Sequence, residues 1–336
     1  MIIGRHDVAE RIFVVAEIGN NHEGSFATAQ ELVRRAASTG VDAVKLQTFR
    51  ARWFTSAADP VRFARLQSFE LAPEQFAELA ALARSLGLGF FSTPLDLESA
   101  RVLEPLVDAY KIASGDNDFY PLIAAACRTG KPLIVSSGLA DLEHLEKVRR
   151  FVYEEWQRLG VSQDLAILHC ACSYPVPPEE ANLAAIPLLR ERIGCEIGYS
   201  DHTLGPTACI TAAALGARII EKHFTLDKDR QGFRDHQLSA DPPEMRHIVE
   251  QVRRVELLLG RPEKRVMPCE LPNRSAARRA ICAAADLPAG HALTPGDLTW
   301  LRPAVGLSPG EELRVVGRRL VRAVRFGEPL LAVDVE

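Results

Sequence analysis

Two histidines, His202 and His223, each stand close to a carboxylate in the strings YSDHT and IIEKHFT. Neutral imidazoles of this kind bind manganese, iron, cobalt or zinc. Two imidazoles alone leave a metal short of donors, so water, the substrate or a carboxylate such as Glu221 would complete the set. The competing reading of each histidine is a hydrogen-bonded structural residue. A second group is cationic. Lys45 and Lys111, with Ser114, Ser136 and Ser137, offer two ammonium groups and several hydroxyls, which suits an anion carrying a phosphate and a carboxylate. The plainer alternative is two lysines that snorkel to solvent. A third group is acidic. Glu17 and Asp235 could accept hydrogen bonds from the hydroxyls of a polyol or take part in proton transfer, although RQGFRDH reads as a loop, where Asp is common. The trio His169, Cys170 and Cys172 has a spacing too short for the usual Cys-x2–4-Cys zinc motif and no second cysteine pair, so no zinc site is expected there.

These residues fall at the ends of short apolar runs. The runs are 12–19, 42–48, 89–94, 109–114, 132–137, 165–170, 195–201 and 219–225. Helical patterns such as ATAQELVRRAAS and PEQFAELAALARSLG separate them. Runs that are apolar on both faces suit a parallel sheet covered by helices. Eight such units in about 250 residues predict a closed (β/α)8 TIM barrel, with the active site at the C-terminal strand ends. An open doubly wound sheet is the rival, but Gly19-Asn20-Asn21-His22 is not the glycine-rich turn that fold favours. The stretch ARWFTSAADPVRFARLQSFEL is long for a connection and predicts a flap over the barrel mouth. The predicted organisation is therefore a barrel over 1–260, a Pro- and Arg-rich linker over 261–274, and a small β-rich domain over 275–336.

The bulk properties exclude several function classes. The chain has 336 residues and a formal net charge of -4, which gives no bulk attraction to nucleic acid or anionic membrane. No apolar run reaches transmembrane length, and the first residues do not read as a signal peptide. Seven scattered cysteines predict reduced thiols and a cytoplasmic location.

The blocks VVAEIGNNHEGSFATAQELVRRAASTGVDAVKLQTF, AYKIASGD, KPLIVSSGLA, GYSDHTLG and EKHFTLD resemble, in order and spacing, the N-acetylneuraminate (sialic acid) synthase family. The C-terminal segment resembles that family's antifreeze-like (SAF) domain. The resemblance implies condensation of phosphoenolpyruvate with an open-chain N-acyl amino sugar, giving a 2-keto-3-deoxy sugar acid and phosphate. It implies that Lys45, Thr93, Lys111, Ser114 and Ser136 bind phosphoenolpyruvate, and that Glu17, Tyr174, Asp235 and Arg302 contact the sugar. It also implies that His202 and His223 bind Mn2+, or Mg2+ or Co2+ in its place, with Glu221 beside the metal to orient or deprotonate a water. Arg302 would act on a partner's barrel in a domain-swapped homodimer. Three departures surround the sugar side. Cys172 replaces an asparagine often found two residues before Tyr174 in the sialic acid branch. The loop KDRQGFRDH is about one residue longer than usual. Arg302-Pro303-Ala304 replaces R-P-G. The branches making legionaminic or pseudaminic acid have sequences closer to the C-S-Y-P found here. Two rival classes remain open to the same residues: a Schiff-base pyruvate aldolase using Lys45 or Lys111, and a non-catalytic carbohydrate- or ice-binding protein.

Overall fold

The computed structural model describes residues 1–230 and 233–336, and its contacts divide the chain into two compact units, Met1–Gly260 and Arg261–Glu336. The first unit is built on eight parallel strands: β3 (Phe13–Gly19), β4 (Ala43–Thr48), β5 (Gly89–Pro94), β6 (Tyr110–Ile112), β7 (Leu133–Ser136), β8 (Leu165–His169), β9 (Glu196–Asp201) and β10 (Ile219–His223). They are hydrogen-bonded in the order β5-β4-β3-β10-β9-β8-β7-β6. Between β5 and β6 the ladder gives way to Asp108. Its backbone N–H donates to the Phe90 carbonyl (3.1 Å), and its carboxylate accepts from the Phe90 N–H (3.0 Å). Asp108 thus links the two edge strands through one backbone and one side-chain hydrogen bond.

Strands buried on both faces explain the apolar runs. One face fills the barrel with Phe13, Val15, Phe91, Ile134, Leu168 and Ile219, and the other meets the helices. A short N-terminal hairpin, β1 (Ile2–Ile3) and β2 (His6–Asp7), adds Ile3 and the neighbouring Val8 to that inner cluster. The helices are amphipathic. Helix α7 (Leu142–Leu159) buries Leu145, Val148, Val152 and Trp156, the spacing of one helical face. Each aliphatic so buried contributes about 1.5–3 kcal/mol. Asp141 caps its start by accepting from the His144 N–H (2.8 Å), and Gly160 ends it in the left-handed region.

The stretch expected as a flap is helical. It holds α2 (Ala51–Phe54) and α3 (Pro60–Phe69), the latter capped by Asp59 with Pro60 at its first turn. Phe69 packs on Phe233 at 5.4 Å, in a satellite core with Phe49 and Leu95. The end of α3 also lies against Gly24 (φ +80°), where an added Cβ would run into the Ser68 carbonyl.

The second unit contains a single antiparallel ladder, β11 (Ala280–Ala283) with β12 (Leu298–Leu301), plus isolated bridges and 3-10 turns around Ile281, Leu293, Val315, Leu320 and Leu330. The segment 261–274 is not wholly irregular: Pro268–Asn273 forms a 3-10 turn that leads into helix α12 (Arg274–Ala277). Residues 261–279 are all exposed. Among the described residues no helix is long and apolar enough to cross a membrane.

Candidate active site

Strand alternation carries polar side chains to the C-terminal strand ends. Glu17 pairs in register with Lys45 on one side and His223 on the other. Lys45 Nζ lies 2.9 Å from Glu17 Oε2, 3.6 Å from Glu221 Oε2 and 3.1 Å from Thr93 Oγ1. Lys111 Nζ donates to Ser136 Oγ (2.6 Å) and lies 3.8 Å from Glu221 Oε1. Glu221 therefore sits between two ammonium groups and also accepts from Ser200 Oγ at 2.9 Å. All four charged residues are at most 6% exposed. Such a cluster is costly unless it is paired, and here two carboxylates balance two lysines.

The environment sets each proton. Burial pushes the Glu17 carboxyl up to about 7, against the opposing pull of Lys45. Burial also acts to raise Glu221, but Lys111 and Lys45 outweigh it and hold that carboxylate below its usual range. Burial lowers Lys111, only partly offset by Glu221, whereas for Lys45 the attraction of Glu17 and Glu221 overcomes burial and raises it. Glu221 is thus the anion of the pair, and Glu17 is poised to hold a proton near neutrality.

His202 and His223 face each other with ring centroids 5.4 Å apart. Burial lowers both pKa values, so both are neutral donors at pH 7. His202 Nδ1 is engaged with the Ala171 carbonyl (2.9 Å), which leaves Nε2 for a ligand. His223 Nδ1 is buried and has no hydrogen-bond partner among the described residues. An unsatisfied imidazole nitrogen opposite a second neutral imidazole fits a divalent cation. Among the described residues no group of three or more His, Cys, Asp or Glu could hold a metal, so further donors would be water or substrate. The two carboxylates next to the histidines in sequence differ. Glu221 faces the pocket, whereas Asp201 turns outward and pairs with Lys222 at 2.7 Å.

The remaining residues line the mouth. Ser114 Oγ accepts from the Gly138 N–H (3.1 Å), and Asn117 holds the Ser136 and Gly138 carbonyls. The Tyr174 ring lies 4.2 Å from the His202 ring and under the Arg234 guanidinium at 4.9 Å. Asp235 is buried, with its carboxyl pushed up to about 6 by burial against Arg234 and Arg65. The lengthened loop before it includes residues 231 and 232, which lie outside the described residues. Cys172 is exposed and close to Gly138. His169 bonds the Ala181 carbonyl through Nε2 (2.9 Å), a structural role. Arg302 belongs to the second unit. There it is exposed and borders a cleft of about 790 Å³ with Arg274, Arg278 and Arg279. Sequence reasoning missed Ser200 and Lys222. The E-K-H string carried the signal for Lys222, because alternation turns it away from Glu221 and His223.

Comparison with known proteins places this geometry in context. The NeuB family profile matches residues 32–264, and the SAF domain profile matches residues 278–336. An N,N'-diacetyllegionaminic acid synthase of Legionella pneumophila is 36% identical over 338 residues, covering 96% of this chain and 94% of its own. A pseudaminic acid synthase of Campylobacter jejuni is 33% identical, covering 99% of both. The crystal structure of a putative spore coat polysaccharide biosynthesis protein E from Chromobacterium violaceum superposes with a TM-score of 0.80 at 29% identity, covering 97% of this chain and all of that one.

Proposed function

Since the chain belongs to the NeuB family and carries a SAF domain, we propose that it condenses phosphoenolpyruvate with an open-chain N-acyl amino sugar. The product is a nonulosonate-type 2-keto-3-deoxy sugar acid, released with inorganic phosphate. The observation that carries this reading is Glu221 held between Lys45 and Lys111 beside the two neutral histidines. The lysines, with Thr93, Ser114 and Ser136, suit the phosphate and carboxylate of the enol substrate. Until that anion arrives, Glu17 and Glu221 serve as their counter-ions. Glu17, Tyr174 and Asp235 line the side proposed for the sugar, and Arg302 from a partner copy would complete it in a domain-swapped homodimer. The protein would act in the cytoplasm.

His202 and His223 would hold a divalent ion, Mn2+ or a similar one, and when bound it supplies Lewis-acid polarisation of the aldehyde oxygen. In the reaction C3 of the enol bonds to the aldehyde carbon, and the aldehyde oxygen takes a proton. Water adds at C2, and the C2–O bond to phosphate breaks. Glu221, kept ionised by the lysines, accepts the proton of that water. Glu17, whose carboxyl titrates near 7, can give or take a proton at the sugar oxygen.

The test is phosphate release from phosphoenolpyruvate with a panel of acceptors: N-acetylmannosamine, its 6-phosphate and 2,4-diacetamido-2,4,6-trideoxy sugars. Release should occur with one or more of them, vanish after EDTA and return with Mn2+ or Co2+. A second reading draws on the lowered pKa of Lys111, which a Schiff-base lysine would also show. Borohydride trapping of pyruvate on Lys111, with phosphoenolpyruvate left intact, would establish that reading instead.

A further inference from the structure

The outer wall of the barrel carries a buried ion pair directly behind the two histidines. On β10, Glu221 and His223 face the pocket, so Lys222 faces the helices. Its register partner on β9 is Asp201. Both side chains are 0% exposed, and Cys209 of α9 (Thr207–Ala214) covers them, with its Sγ 3.3 Å from Asp201 Oδ2. Lys222 Nζ donates to Asp201 Oδ2 (2.7 Å) and to the Thr203 carbonyl (2.6 Å). Asp201 Oδ1 accepts from the Thr203 N–H and from the Tyr199 hydroxyl, both at 2.9 Å. The residues on either side of His202 in the chain are therefore both tied to one ammonium group. That group belongs to the residue immediately before His223.

We infer that Lys222 and Asp201 are positioning residues that set the separation and orientation of His202 and His223 as a ligand pair. The inference rests on the reading that these histidines hold a divalent cation. Imidazoles that ligate metals are ordinarily aimed by a hydrogen bond to their other nitrogen. His202 has one, to the Ala171 carbonyl. The His223 ring has no hydrogen-bond partner among the described residues, neither at Nδ1, which faces the cation in this reading, nor at Nε2, so the ring is aimed by its backbone and packing. Lys222 anchors that backbone. A buried ion pair is a poor source of stability compared with apolar residues of the same shape. Its directional bonds to both faces of the Asp201–Thr203 turn are what apolar residues could not replace.

The test is calorimetric titration of the full-length protein with MnCl2 alone. In the double variant Lys222→Met with Asp201→Leu, which leaves no uncompensated charge, Mn2+ affinity should fall about 10- to 100-fold, the usual cost of losing an outer-shell partner. The affinity for phosphoenolpyruvate, measured without metal, should be unchanged, because Lys45 and Lys111 are untouched. The double variant Lys222→Gln with Asp201→Asn keeps hydrogen-bonding groups, and it serves if the apolar pair does not fold. It should bind Mn2+ within about threefold of wild type, since the aiming bonds survive. Wild-type Mn2+ affinity in the apolar pair overturns the inference. A loss in the amide pair as large as 10-fold, or a parallel loss of phosphoenolpyruvate affinity, also overturns it. A wild-type protein that binds no Mn2+ brings down the metal reading itself, a result distinct from any of these.

Discussion

Glu221 is the carboxylate at the centre of the pocket's charges. Two ammonium groups and the Ser200 hydroxyl all address one carboxylate. If that carboxylate takes the proton of the attacking water, Glu221→Gln should lower kcat about 10²- to 10⁴-fold, the range for a positioned base. The measurement is phosphate release at saturating substrates, with circular dichroism to confirm folding. Turnover within about threefold of wild type would remove Glu221 from that role. At this scale the sequence was informative about which residues reach the pocket, because a period of two assigns alternate residues to alternate faces. It was less informative about their partners. Asp201 and Glu221 look equivalent beside their histidines, yet strand phase sends one outward to Lys222 and the other inward to Lys111. Side-chain pairing between strands depends on register, and register is not visible in any one strand.

The eight core strands could be read from their apolar runs, with no boundary off by more than two residues. The hairpin Ile2–Ile3/His6–Asp7 could not, because two-residue strands carry no periodicity to detect. Helix α3 reads in the sequence as part of a long connection, although Asp59-Pro60 is a recognisable helix start. Only Phe69 of its apolar positions is buried, so the helix lies on the barrel without the packed face that marks a core helix. Strand β9 depends on a residue of a different kind. Gly198 lies between β8 and β10, and a Cβ there would meet the Leu168 side chain and stand 2.5 Å from the Ile219 carbonyl. Gly198→Ala should therefore cost about 1–3 kcal/mol, as overpacked cores do. Gly115→Ala, where nothing lies within 4 Å of the new carbon, should be close to neutral. Urea unfolding of the two variants side by side checks this, and equal midpoints would show that β9 yields without strain.

The whole molecule joins a barrel whose core follows one repeated rule to a small unit with a single two-stranded ladder. The barrel was legible because eight similar segments repeat the same signal. The small unit was legible mainly through its Gly and Pro turns, and its core of Ile281, Leu293, Val315 and Leu320 relies on isolated bridges that no run of residues announces. The proposed swap has a consequence in mixtures. Arg302→Ala and Lys111→Met should each be inactive alone. Co-expressed in equal amounts, they should regain about a quarter of wild-type activity, because half of randomly formed dimers are mixed and each mixed dimer has one intact site. Activity in the Arg302→Ala protein alone, or none in the mixture, would contradict the swap.

Seven cysteines without a disulfide leave one further consequence. Four are buried and Cys195 is half-buried, while only Cys172 in the first unit and Cys269 in the second are exposed. A thiol-reactive dye should therefore label one position in each unit of the natural sequence. With donor and acceptor fluorophores on that pair, energy transfer becomes a ruler between the barrel mouth and the linker turn. Comparing the transfer with and without substrates would test whether that separation responds to them, without altering a single residue.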